Sequence, residues 1–281
     1  MTTTSRRNFL GAAGIAGLAA FEVQPASAVI EPEPWGIKLG IATYSLRSFD
    51  RPTAIQMLKK LQVKYISIKD VHLKLTDTAD QLKAGRAEFD AAGLVVTSGG
   101  NVDMTKGTTV EDLRPRFEYA KAAGLPMMVC APTHENLKSV EALVKEYNIR
   151  IAIHNHGPED KHFPTPQSVL DAVRPLDKRC GLCMDIGHST RAGADIIEMC
   201  KVAGDRLFDM HVKDLADGKN KDSQVDIGDG VLPFPALFKT LKKLGYTGCV
   251  NMEYEINAKD PMLGMLRSLS YERGVLAGLA G

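Results

Sequence analysis

The feature that most constrains this chain is a cadence. A short β-branched or apolar run is followed by an amphipathic stretch of helical period, and the pair recurs eight times. The runs begin near Lys38, Tyr65, Leu94, Pro126, Ile149, Gly181, Leu207 and Cys249, and each has the length of one strand. The helical stretches are Pro52–Leu61, Asp80–Ala92, Val110–Ala123, Glu135–Tyr147, Gln167–Val173, Ala194–Val202, Phe234–Leu244 and Met262–Leu276. Their apolar residues recur three or four apart, as in Leu237, Leu241 and Leu244, which lines one helical face. Gly93, Gly124 and Gly245 follow helical stretches where a left-handed C-cap is needed. Eight strand–helix pairs predict an α/β fold of the (β/α)8 TIM barrel type. The rival is a doubly wound open sheet, but no strand leads into a glycine-rich dinucleotide fingerprint.

The first 28 residues stand outside this cadence. Ser5-Arg6-Arg7-Asn8-Phe9-Leu10 is a twin-arginine pattern, Gly11–Ala20 is weakly apolar, and Ala26-Ser27-Ala28 is a small-x-small cleavage site. The three regions occur in the order of an export signal read by the twin-arginine machinery. The expected organisation is a signal peptide over 1–28, a linker over 29–36 and a barrel over 37–281. The expected localisation is periplasmic or otherwise exported. Removing the signal leaves 33 basic and 33 acidic residues. A neutral chain gives no support to a nucleic-acid partner, which usually leaves a basic excess. No apolar run reaches the roughly 18 residues of a membrane span.

The five cysteines are too few, and odd in number, for a disulfide framework. Cys180-Gly-Leu-Cys183 spells a CxxC inside a strand, whereas a redox pair needs a helix start to lower the thiol pKa. All five are therefore read as buried strand residues.

In a barrel, chemistry gathers where strands end and the following loops begin, and polar residues cluster at those points. Strand five ends in His154-Asn155-His156, strand six in Asp185-Ile-Gly-His188, strand seven in His211-Val-Lys213-Asp214 and strand eight in Glu253-Tyr-Glu255. Side chains alternate along a strand. If Ile151, Ile153, Leu182, Met184, Phe208, Met210, Val250 and Met252 face the helices, then His154, His156, Asp185, His211 and Glu253 face inward. Four consecutive strands thus aim His154, Asp185, His211 and Glu253 into one mouth. An imidazole–carboxylate set of this kind suits one divalent metal, Mn, Co, Zn or Fe, with positions left for substrate oxygens. Each residue alone has a plainer explanation, a satisfied core histidine or a helix-capping aspartate.

Asp185-x-x-His188, His211-x-Lys213-Asp214, Glu253, and Gly228-Asp229-Gly230 before Leu232-Pro-Phe234 resemble the sugar phosphate isomerase/epimerase family with the xylose isomerase-like barrel. The resemblance covers residues 37–280. It implies that Asp185, His211 and Glu253 are metal ligands. In the family's ketose 3-epimerases a glutamate from strand five completes the set, and the two glutamates form the acid/base pair. Here strand five has His154-Asn155-His156 instead. A metal-bound imidazole cannot act as a carboxylate base, so two-base epimerisation gives way to one-base chemistry next to a carbonyl. The resemblance then implies isomerisation, or β-elimination as in the inosose dehydratases and keto-sugar lyases of this superfamily. Glu253, His188, Lys213 and Lys69 are the candidate catalytic residues, and His156, His72, Lys161 and His162 the candidate substrate contacts. The plain alternative for the loop residues is a solvated surface.

Two other classes are weighed. The barrel also resembles endonuclease IV, but that site needs more ligands, for three zinc ions, and a basic surface for DNA phosphates. A non-catalytic carbohydrate-binding barrel fits the missing glutamate. Export points to a free or oxidised sugar or polyol as the small-molecule partner, since phosphorylated sugars are scarce outside the cytoplasm. Arg47 and Arg191 are the arginines placed to reach a phosphate. Trp35 and Tyr271 are candidates for core or interface, leaving an oligomer open.

Overall fold

A computed structural model describes residues 36–280. The twin-arginine segment over 1–28, the rest of the linker up to residue 35, and Trp35 lie outside the described residues. Eight parallel strands close into a barrel: β1 (Lys38–Ala42), β2 (Tyr65–Ile68), β3 (Val95–Asp103), β4 (Met127–Ala131), β5 (Arg150–His154), β6 (Cys180–Asp185), β7 (Leu207–Val212) and β10 (Cys249–Met252). β1 pairs with both β2 and β10, which completes the circle and leaves no sheet edge. Between β7 and β10 a short antiparallel ribbon, β8 (Asp214–Leu215) and β9 (Gln224–Val225), lies outside the barrel.

The helices are α1 (Arg51–Lys60), α2 (Ala79–Ala91), α3 (Val110–Ala122), α4 (Leu137–Tyr147), α5 (Pro166–Val173), α6 (Ile186–Arg191), α7 (Ile196–Ala203), α8 (Phe234–Lys243) and α9 (Met262–Gly278). Side-chain caps start many of them. Asp50 accepts from the Thr53 amide, and Thr78, Thr109 and Thr165 each form a capping box. Gly93, Gly124 and Gly245 have φ of +78°, +61° and +63°, the left-handed exits expected of them. The expected (β/α)8 barrel is the observed fold. α6 and the β8–β9 ribbon were not foreseen. Both are too short to show a period, and α6 starts on the last strand residue itself, where Asp185 is its N-cap.

The outward-facing residues Ile151, Ile153, Leu182, Met184, Met210, Val250 and Met252 join one large cluster between strands and helices. Phe208 does not. It packs inside the barrel with Met127, Val129, Ala152 and Cys183. A register shift explains this correction: Leu207 lies opposite Leu182, but Asp209 lies opposite Cys183, so β7 carries one extra residue. Gly181 makes room for the ring, since a Cβ there would come within 2.4 Å of it. All five cysteines are buried and none forms a disulfide, but Cys200 lies on α7, not on a strand. Its apolar burial looks the same in either element.

Candidate functional site

The inward ends of β5, β6, β7 and β10 meet as alternation requires. His154, Asp185, His211 and Glu253 each offer one ligand atom, and the four atoms lie within 4.8 Å of one another. His154 Nε2 is 3.1 Å from His211 Nδ1, and His211 Nδ1 is 3.2 Å from Glu253 Oε1. His154 Nε2 lies 3.7 Å from Asp185 Oδ2. All four side chains are buried.

Asp185 reconciles two readings of a strand-end aspartate by using its oxygens differently. Oδ1 caps α6 by accepting the His188 amide at 2.7 Å. Oδ2 is buried, accepts no hydrogen bond and faces the imidazoles. Asn155 fixes this corner, with its Oδ1 accepting the Asp185 amide and its Nδ2 donating to Ser189 Oγ. The donor set fits a divalent ion. Of two imidazole nitrogens 3.1 Å apart only one can carry the shared proton, and a cation between them and the two carboxylates would satisfy every facing lone pair. The Cys183 thiol also lies within reach of both imidazoles. Burial pushes it up to about 12, so it stays protonated beneath the cluster.

Lys213 is the positive charge of the site. Its buried ammonium donates to Glu253 Oε2 at 2.8 Å and Glu255 Oε2 at 2.5 Å, and lies 3.1 Å from Asp185 Oδ2. Gly187 lets the stem pass, as a Cβ there would come within 2.6 Å of Lys213 Cγ. Burial works against charge on each of these groups. At Asp185 the Lys213 ammonium overcomes it and holds the carboxyl at about 2. At Glu253 burial is likewise outweighed by Lys213 and His211, which keep it well below the usual carboxylate range. Glu255 is raised, burial and the Glu253 charge outweighing Lys213. His154 is held well below the ordinary imidazole value by burial, and burial brings His188 down to about 4.

Above the cluster opens a cavity of about 270 Å³ lined by Tyr44, Lys69, Asn101, His154, His156, Glu253 and Glu255. Lys69 reaches it from the end of β2, donating to the Asn101 carbonyl at 2.9 Å and pairing with Asp70. His156 lies half exposed at the rim. His188 packs 4.9 Å from His156, ring to ring. His188 and Lys213 lie outside the cavity wall, and so do His72, Lys161 and His162. His72 is buried, bonded to Thr43 Oγ1 at 2.9 Å, with burial lowering its imidazole. Lys161 points to solvent. The His162 carbonyl bonds His134 Nε2, and its ring packs against the His134 ring. His72 and His162 are held by the neighbouring segments after β1 and β4, contacts that strand parity does not report. Arg47 is engaged by the Tyr44 and Glu255 carbonyls, and Arg191 by Glu159 and His188.

Tyr44, Asn101 and Glu255 line the cavity without having been singled out. Glu255 was detectable, because it lies two residues beyond Glu253 and so shares its side of the chain. A larger hollow of about 430 Å³, lined by Arg150, Phe208 and Tyr246 among others, lies at the opposite, N-terminal ends of β5 and β7. It holds none of the strand-end residues.

The sequence profile of the xylose isomerase-like TIM barrel family matches residues 55–271. An inosose isomerase of Bacillus licheniformis is 25% identical over 177 residues, 54% of this chain and 64% of that protein. The chain spans between 31% and 64% of the length of the curated relatives it matches. Among solved structures, the IOLI protein with a bound zinc atom superposes with a TM-score of 0.70 at 19% identity, over 86% of this chain and 99% of that one. The 3-keto-D-glucoside 4-epimerase of E. coli superposes with a TM-score of 0.69 at 16% identity, over 85% and 99%. At these identities the superpositions show the fold.

Proposed function

The chain belongs to the xylose isomerase-like TIM barrel family, and from that premise we propose that it is a divalent-metal-dependent sugar isomerase or epimerase. It would act by proton abstraction next to a carbonyl of a free or oxidised sugar or polyol. The observation that carries this reading is the convergence of His154, Asp185, His211 and Glu253 beneath a polar cavity. The inosose isomerase and keto-glucoside epimerase among the similar proteins support the substrate class, and the zinc-bound neighbour supports a metal.

The four side chains would hold one Mn, Co, Zn or Fe ion. When bound, it would supply Lewis acidity toward a substrate carbonyl. Glu253 sits with Oε1 toward His211 and Oε2 on Lys213, so Lys213 fixes the carboxylate in one orientation. Glu253 is the one carboxylate both in the donor set and on the cavity wall, and we assign it the removal of the α-proton. Lys69 and Glu255 flank the same space and can hold or relay protons at the substrate's hydroxyls.

A second reading has its own support. Strand five ends in His154-Asn155-His156, where the resemblance implies a glutamate, so a second carboxylate base is missing on that side. One-base abstraction followed by loss of a β-substituent makes the chain a lyase or dehydratase on a keto-sugar or keto-glycoside. The twin-arginine segment supports export and an unphosphorylated ligand.

The test is NMR of a panel of keto-sugars and glycosides in D2O with metal-loaded protein. Exchange at one carbon identifies the proton abstracted, and release of an aglycone marks the lyase. No exchange across the panel, with metal bound, would leave a carbohydrate-binding barrel.

A further inference from the structure

His188 lies at the start of α6 with its backbone amide on Asp185 Oδ1 and its ring beside His156 and His154. Its Nδ1 is 3.1 Å from a guanidinium nitrogen of Arg191, one turn on. Arg191 is itself gripped at both oxygens of Glu159, in the loop after β5, and its side chain is only 8% exposed. The turn between them is fitted to the trio. Gly157 has φ +87°, and a Cβ there would come within 3.2 Å of His188 Nδ1 and 3.3 Å of Glu159 Oε2.

Guanidinium has five donors and no acceptor, so the atom facing it must offer a lone pair. A neutral imidazole with a lone pair on Nδ1 carries its proton on Nε2. We infer that Arg191, braced by Glu159, is a positioning residue that locks His188 as the neutral Nε2–H tautomer. His188 therefore presents a hydrogen-bond donor, not a base, from Nε2. An exposed ion pair would have little effect, but here one partner is buried and its second donor meets a histidine ring. The inference deepens the proposed function: the donor's target, a substrate oxygen, rests on that reading, whereas the tautomer does not.

The tautomer is read directly by long-range ¹H–¹⁵N correlation of the histidine rings in the zinc-loaded, ¹⁵N-labelled full chain, with His188 assigned by its loss in H188Q. The expected pattern is an unprotonated Nδ1 and a protonated Nε2. R191M removes the donor, and the His188 signals are expected to shift toward a mixture of tautomers. The charge-swapped E159R/R191E pair keeps an ion pair but turns an acceptor toward Nδ1, so the proton is expected to move to Nδ1. A protonated Nδ1 in the unaltered chain, or a pattern unchanged in both variants, overturns the inference. Absence of deuterium exchange in every sugar would refute the proposed function and leave these ring signals untouched, so the two failures are distinguishable.

Discussion

Lys213→Met isolates the electrostatics of the site. The substitution keeps an apolar stem beside Gly187 and removes an ammonium held within 3.1 Å of three carboxylates. At an effective dielectric of ~20, one such pair at ~3 Å is worth roughly 5 kcal/mol. Desolvating the buried ions offsets most of that gross attraction, and removing one partner of a buried pair costs about 3–5 kcal/mol. For a domain of this size that corresponds to a melting temperature lowered by roughly 6–20 °C. The loss should be large only without metal. A divalent ion on Asp185 and Glu253 supplies positive charge that otherwise comes chiefly from Lys213. Thermal unfolding of wild type and K213M, each in chelator and in saturating zinc, gives the four values required. The account predicts a much larger decrease in chelator than in zinc. An equal decrease in both, or one below about 1 kcal/mol, would refute the placement of Lys213 within the metal's electrostatic field.

Two other perturbations address the scaffold. Glu272 on α9 is buried with Oε1 unpartnered, and burial raises its carboxyl to about 8. The unfolded chain releases that proton near ~4.3, so the folded state binds more protons between the two values and stability falls as pH rises from about 4.5 to 8. E272Q should flatten that slope and stabilise the protein by on the order of 3 kcal/mol at pH 7. Denaturant titrations from pH 5 to 9 read it, and an unchanged slope sinks the idea. Asp214 accepts the amides of Gly228, Gly230 and Leu232, which ties the loop before α8 to the start of β8, just past β7. D214A should cost about 2–4 kcal/mol and open residues 226–232 to limited proteolysis; an unchanged cleavage pattern would contradict that tie.

The sequence carried the barrel because eight strand–helix alternations are long-range redundant: losing one boundary does not change the count. It also carried the four converging side chains, since alternation fixes which residues of a buried strand face inward. It failed where the geometry is not periodic. Phe208 faces inward because a β-bulge adds a residue that no pattern announces. Asp209 shares the inward parity of His211, but alternation does not say that a carboxylate there is functional. That carboxylate lies inside the barrel, bonded by Ser98 and Asn251 at 2.7 Å and raised by burial to about 6. Proximity in sequence puts His72, Lys161 and His162 near the mouth, yet contacts with neighbouring loops decide where His72 and His162 sit. The three-carboxylate grip on Lys213 and the Arg191–Glu159 pair join elements whose spacing in sequence carries no signal.

The central claim is that His154, Asp185, His211 and Glu253 hold one divalent metal ion. Calorimetric titration of zinc and manganese into chelator-treated protein measures it directly, with D185A and E253A beside the unaltered chain. The account predicts one site per chain, lost or weakened at least tenfold in each variant. No binding to the unaltered chain, or the same affinity in D185A and E253A, would contradict it.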